Sequence, residues 1–185
     1  MRLRRPLLGL ALVVLAACGD TEPAPPPPPV EVTGEATGHY CGMLLQDHEG
    51  PKGQIHLVGR EEPIWFSSVR DTIVFTRLPE EPKNIAAIYV NDMGKANWEQ
   101  PEPGTWIEAR QAWFVIGSRR MGGMGMPEAI PFSDRVAAMD FAATHGGTVT
   151  RLDEIPDSYV LGPVEAEPGS ADDGGSADHG GHATH

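Results

Sequence analysis

The chain has 185 residues, 14 Lys and Arg against 26 Asp and Glu, a formal net charge of −12, and 22 Gly and 18 Pro. That length allows one domain with its own core, or two very small units that share one, and excludes a large multidomain enzyme. With no basic patch to neutralise phosphates, nucleic acid is excluded as a partner class.

In chain order, "MRLRRPLLGLALVVLAAC" opens with Arg2, Arg4 and Arg5, runs apolar from Leu7 to Ala17 and ends on Cys18. This is the pattern of an export signal over residues 1–17, too short in its apolar part to span a bilayer as a mature helix. "LAAC" resembles a bacterial lipobox, so Cys18 is expected to carry the lipid and anchor the protein to the membrane, facing the periplasm. Residues 18–38 follow, with proline from Pro25 to Pro29. They read as a polyproline tether that, at about 3.1 Å per residue, reaches roughly 60 Å.

The folded part is expected over 39–162. "GQIHLVG" (53–59) and "NIAAIYVNDM" (84–93) are β-type runs, and "WIEARQAWFVIGS" (106–118) reads as one longer strand. "FSDRVAAMDFAATHGG" predicts a helix capped by Ser133, with Val136, Ala137, Met139 and Phe141 as its apolar positions and Gly146 and Gly147 as its stop. "TVTRLDEI" returns as a strand. Ile64, Phe66, Ser67 and Phe75 recur as Ile130, Phe132, Ser133 and Phe141, each 66 residues on, which suggests an internal repeat of two small β-β-α units. Residues 163–185 are Gly, Asp, Ser and His with almost nothing apolar, the composition of a disordered tail.

The candidate chemistry is sulfur. With Cys18 consumed by lipid, Cys41 is the single remaining thiol in an oxidising compartment, so it has no partner for an internal disulfide. Met43 lies two residues on, across Gly42, which lets the backbone turn sharply enough for thiolate and thioether to converge. Met121, Met124 and Met126 alternate with glycines ahead of Pro127, a loop setting rather than a core one. Soft sulfur donors select a soft ion, Cu(I), whereas Zn(II) wants several Cys or His at fixed spacing. His39, His48 and His56 are possible nitrogen donors near Cys41. His145 suits a helix C-terminus, and His179, His182 and His185 form a loose tail suited to weak Cu(II) or Zn(II) binding. No nucleophile, P-loop, dinucleotide or zinc-protease motif is present, so the chain does not read as an enzyme.

The lipobox, "YCGM" after the tether, and "GSRRMGGMGMPEAIPFSDRVAAMDFAATHGGTVTRLDEI" together resemble the NosL family, the copper-chaperone lipoproteins associated with nitrous oxide reductase maturation, over residues 39–156. The resemblance implies an α+β fold of two β-β-α units, treble-clef-like and related to the organomercurial lyase domain, packed as one compact domain. It implies a monomer that binds one Cu(I) through Cys41 and Met43, with Met121 and Met124 as loop donors and Met126 outside the pattern. It further implies delivery of copper for the copper–sulfide centre of nitrous oxide reductase, with that reductase and its maturation membrane transporter as partners. Two rivals accompany it: a general copper buffer without a dedicated client, and a cysteine-dependent organometal-processing enzyme, which a single thiol disfavours.

Overall fold

The structure is a computed structural model that describes residues 25–163; the lipobox with Cys18 and the tail from residue 164 lie outside it. Among the described residues no helix is long and apolar enough to cross a membrane.

Among the described residues, six of the seven strands and two of the three helices form two copies of one motif. In the first, β1 (Gly53–Leu57) and β2 (Ile64–Phe66) pair antiparallel, α1 (Val69–Arg77) crosses behind them, and β3 (Ile85–Asn91) returns on the other side of β1. In the second, β5 (Trp113–Ile116), β6 (Ile130–Phe132), α2 (Arg135–His145) and β7 (Thr148–Thr150) do the same around β5. β6 starts 66 residues after β2, and α2 starts 66 residues after α1, so the repeat suggested by the four matched residues is a repeat of structure. Each unit is β-β-α-β, one strand longer than the β-β-α expected. A short strand, β4 (Trp106–Glu108), adds to the first sheet beside β3, and α3 (Asp157–Leu161) closes the chain.

Alternation along the strands decides which face each sheet buries. Ile55, Ile64, Phe66, Ile88 and Val90 point at α1, where Val69, Ile73 and Phe75 complete the main cluster. α1 lies so close to β1 that a Cβ on Gly53 would fall 1.9 Å from Thr72 Oγ1, which leaves glycine as the residue that fits there. Val115, Ile130 and Phe132 pack against Ala138 of α2, while Phe114 on the opposite face, fully buried, enters the main cluster and joins the two units. Asp92, just past β3, ties the second unit down by accepting from the Ser133 hydroxyl at 2.5 Å and its backbone N–H at 3.0 Å.

Three local expectations are corrected. Residues 106–118 are two strands in two different sheets, separated by a 3-10 turn at Ala109–Gln111 that buries Ala109 and Ala112. The cap of α2 is Asp134, whose carboxylate accepts from the N–H groups of Val136 and Ala137, because Ser133 is held by Asp92. Val136 and Met139 lie on the solvent side of α2, 61% and 50% exposed, and Ala138 is its buried residue. The helix does stop at Gly146 and Gly147, both at positive φ.

The outer face of the first sheet carries Gln54, Trp65, Tyr89 and Trp106. Residues expected as free tether lie over it. Tyr89 Oη donates to Pro27 O at 2.8 Å, and Gln54 both accepts from Val30 N and donates to Val30 O at 2.9 Å. The Glu31 carboxylate accepts from Gly104 N and Trp106 Nε1. A polyproline segment exposes its backbone polar groups, and here the sheet's side chains satisfy them. The folded body therefore begins near Pro27 and includes part of the expected tether.

Candidate functional site

The Cys41–Gly42–Met43 triplet forms the tip of a small hairpin. Thr37 and Leu44 bridge its base, Gly38 N donates to Met43 O at 2.9 Å, and Gly42 N donates to Gly38 O at 2.8 Å. Gly42 closes the turn at φ 66°, a left-handed conformation that costs a non-glycine residue. The expected sharp turn is therefore present. The residues ahead of the tip are pinned: Tyr40 Oη donates to Glu81 Oε1 at 2.9 Å, His39 Nε2 lies 3.5 Å from the same oxygen, and Phe66 packs against both rings, edge-on to His39 and tilted to Tyr40.

Cys41 is a free cysteine and is half-buried. Its Sγ lies 3.3 Å from the hydroxyl of buried Ser67 and 4.0 Å from Gly38 O. Space for the sulfur comes from Gly38, since a Cβ there would stand 2.6 Å from Sγ. Ser67 can donate to a thiolate, a charge-assisted contact stronger than one to a neutral thiol. Met43 is 45% exposed, so its thioether is available to a ligand at the surface. Ser67 and Gly38 are site residues that the sequence reading missed. Ser67 is one of the repeat matches in the sequence, but nothing in its spacing ties it to Cys41.

Gly38 has ordinary backbone angles, so an added methyl would act on the sulfur rather than the fold. For the Cu(I) site that the family resemblance implies at this sulfur, Gly38→Ala is expected to lower the affinity about tenfold or more, the scale of losing an outer-shell support, while leaving the unfolding midpoint in urea little changed. Chelator competition beside a denaturation curve checks both halves.

The methionine loop is a second hairpin, bridged Met121 to Pro127, with Gly122 N donating to Met126 O and Gly125 N to Gly122 O. Met121 and Met124 are 42% and 38% exposed, which agrees with a loop setting rather than a core one. The loop is seated on the segment that follows the Cys41 hairpin. A Cβ on Gly123 would meet Glu49 O at 2.5 Å and His48 Cβ at 3.1 Å, and one on Gly122 would meet Glu128 Oε2 at 2.9 Å.

The histidines separate. His56 lies on the outer face of the sheet, where its Nε2 is 2.8 Å from Gln54 Oε1 and burial pushes its pKa down. His39 sits beside Glu81. His48 is buried next to the methionine loop, with no hydrogen-bond partner for Nε2 among the described residues. Among the described residues no three His, Cys, Asp or Glu side chains gather to hold a metal ion. Met43, Met121 and Met124 expose thioethers at the two hairpins, and the His39 ring, in the first of them, is exposed as well.

Comparison with known proteins places the chain in a family. The NosL family model matches residues 29–160, a span that includes the docked Val30 and Glu31 and starts two residues after Pro27. The copper-binding lipoprotein NosL of Achromobacter cycloclastes is 48% identical over 176 residues, covering 93% of this chain and 91% of the relative. The protein of the same name from Stutzerimonas stutzeri is 35% identical over 142 residues, covering 76% and 73%. The crystal structure of the copper chaperone NosL from Shewanella denitrificans superposes with a TM-score of 0.69 at 35% identity, covering 72% of this chain and 99% of that one. These relatives are named as binding proteins and not as enzymes. With a family model across both hairpins and relatives matched over most of their length, the chain belongs to the NosL family.

Proposed function

We propose that this protein is a membrane-anchored Cu(I) chaperone that holds the ion at Cys41 and Met43 and delivers it for assembly of the copper–sulfide centre of nitrous oxide reductase. The observation that carries the reading is the Cys41 sulfur, a free thiol at a hairpin tip, given room by Gly38, contacted by Ser67 and followed by the exposed Met43. The names of the relatives, copper-binding lipoprotein and copper chaperone, support copper as the cargo and a lipid as the anchor. Cys18 is the lipidated residue in this reading, and the domain faces the periplasm.

Thiolate and thioether favour the monovalent, soft form of copper, because Cu(II) gains little from methionine. A site at an exposed tip leaves room for an incoming ligand to attack before the first donors leave, which suits handover. Met121 and Met124 supply further thioethers from the neighbouring loop. The reductase and its maturation membrane transporter are the partners, and the chaperone acts as a monomer.

A cell lacking the protein, grown at limiting copper, is expected to export and fold the reductase but leave the copper–sulfide centre empty, so that nitrous oxide accumulates. Cys41→Ser should reproduce the defect and removal of residues 165–185 should not, since that tail carries no soft donor. Normal nitrous oxide reduction in the deletion strain under the same conditions would reduce the protein to a general copper buffer.

A further inference from the structure

We infer that Glu128 is a positioning residue that locks the methionine loop to the N-terminal end of α1, and so holds Met121 and Met124 in fixed relation to the Cys41 cradle. The inference rests on the copper reading above and assigns a role to a residue that holds no ion itself.

Glu128 is buried, 2% exposed, where an acidic side chain is seldom found without a reason. Its Oε1 accepts from Arg70 N and Ala129 N, each at 2.8 Å. Arg70 is the second residue of α1, so the first of these bonds satisfies a donor that the helix itself leaves unpaired. A carboxylate there also suits the positive end of the helix dipole. Its other oxygen, Oε2, faces Gly122, where even a methyl group would approach to 2.9 Å. The backbone oxygen is fixed in turn by Tyr159 Oη at 2.9 Å, from α3. Lys52 and Asp71 are the other charged groups that act on it.

A continuous path results. Cys41 Sγ touches Ser67; Ser67 adjoins Ser68, which caps α1 by accepting from Asp71 N at 3.0 Å; α1 presents Arg70 N to Glu128; and Glu128 bears on Gly122, next to Met121. The Cys41 hairpin precedes the first repeat unit and the methionine loop joins β5 to β6 of the second, and this chain of contacts through Glu128 connects them. A hydrogen-bond acceptor of this length, rather than a negative charge, is what the geometry requires, since the glutamine amide oxygen can accept the same two N–H bonds.

The test pairs two readouts on Glu128→Gln, Glu128→Ala and Gly122→Ala. On the metal-free full chain, amide hydrogen exchange at Gly122 and Gly125 is expected to quicken about tenfold or more in Glu128→Ala and Gly122→Ala, and to stay within about threefold of wild type in Glu128→Gln. On the Cu(I)-loaded chain, X-ray absorption is expected to show the loop sulfur lost in both alanine variants and kept in Glu128→Gln. Gly122→Ala retains the buried bonds of Glu128 and keeps the test decisive if Glu128→Ala fails to fold. Unchanged loop exchange in the alanine variants, or a Gln variant as loose as Ala, would overturn the locking role. A wild-type copper shell without loop sulfur would instead refute the loop's part in copper binding, a result the exchange data separate from the first.

Discussion

Replacing Cys41 by serine is expected to weaken Cu(I) binding by more than about 100-fold. Loss of outer-shell supports at metal sites already costs about 10–100-fold, and here the change removes the one proposed ligand that would carry a negative charge when bound. Serine keeps the size and the contact to Ser67 but stays a neutral, hard oxygen donor, which a soft ion disfavours. Met43→Ala should cost less, because a neutral thioether contributes less attraction than a thiolate. Competition against a chromophoric Cu(I) chelator measures both, run on the full chain and on one lacking residues 165–185 so that tail histidines do not obscure the stoichiometry. An affinity in Cys41→Ser within a few-fold of wild type would move the site elsewhere.

The second large effect concerns stability and pH. Burial pushes the Glu128 carboxyl up from its ordinary 4.5 to about 7, against the two backbone N–H groups that favour its charged form. Between those values the folded protein holds a proton that the unfolded chain has released. The group's contribution is therefore fully present below pH 4.5 and is lost as pH rises through 7, an amount on the order of 3 kcal/mol. Lys52, whose buried ammonium is pushed down from 10.5 to about 8, acts in the opposite sense at higher pH, where stability is regained between 8 and 10.5. Glu128→Gln isolates the first group. Urea unfolding of both proteins from pH 4.5 to 8 should show wild type losing about 3 kcal/mol relative to the variant. Parallel curves would mean that Glu128 keeps an ordinary pKa in the fold.

Much of the architecture was legible because it is local. Glycines past a periodic segment end α2 where expected, and the 66-residue offset between "IWFS" and "IPFS" marks the same strand and helix entry in both units. What was not legible depends on distant partners. "WIEARQAWFVIGS" alternates like one strand, yet nothing in its own residues says that Trp106 belongs to one sheet and Trp113 to another. The proline segment reads as a free tether until Gln54, Tyr89 and Trp106 are seen to meet its backbone and Glu31. Ser133 was the better-looking cap, but Asp92, 41 residues away, claims its hydroxyl.

The candidate site divides in the same way. Cys41, Gly42 and Met43 stand together in sequence and at one hairpin tip, and the methionine loop is legible from its Met-Gly alternation. Gly38 and Ser67 are invisible there, because their role is to leave space for one sulfur atom and to touch it. Glu128 reads as an ordinary surface carboxylate two residues past the last loop methionine, and only the packing of α1 against that loop buries it.

The central claim, that Cu(I) is held by the Cys41 sulfur with methionine support, is tested most directly by X-ray absorption at the copper edge on the Cu(I)-loaded protein and its Cys41→Ser variant. The account predicts a Cu(I) edge with a sulfur-dominated shell in wild type and loss of the shortest copper–sulfur contribution in the variant. A shell of nitrogen and oxygen neighbours, unchanged by Cys41→Ser, would contradict it.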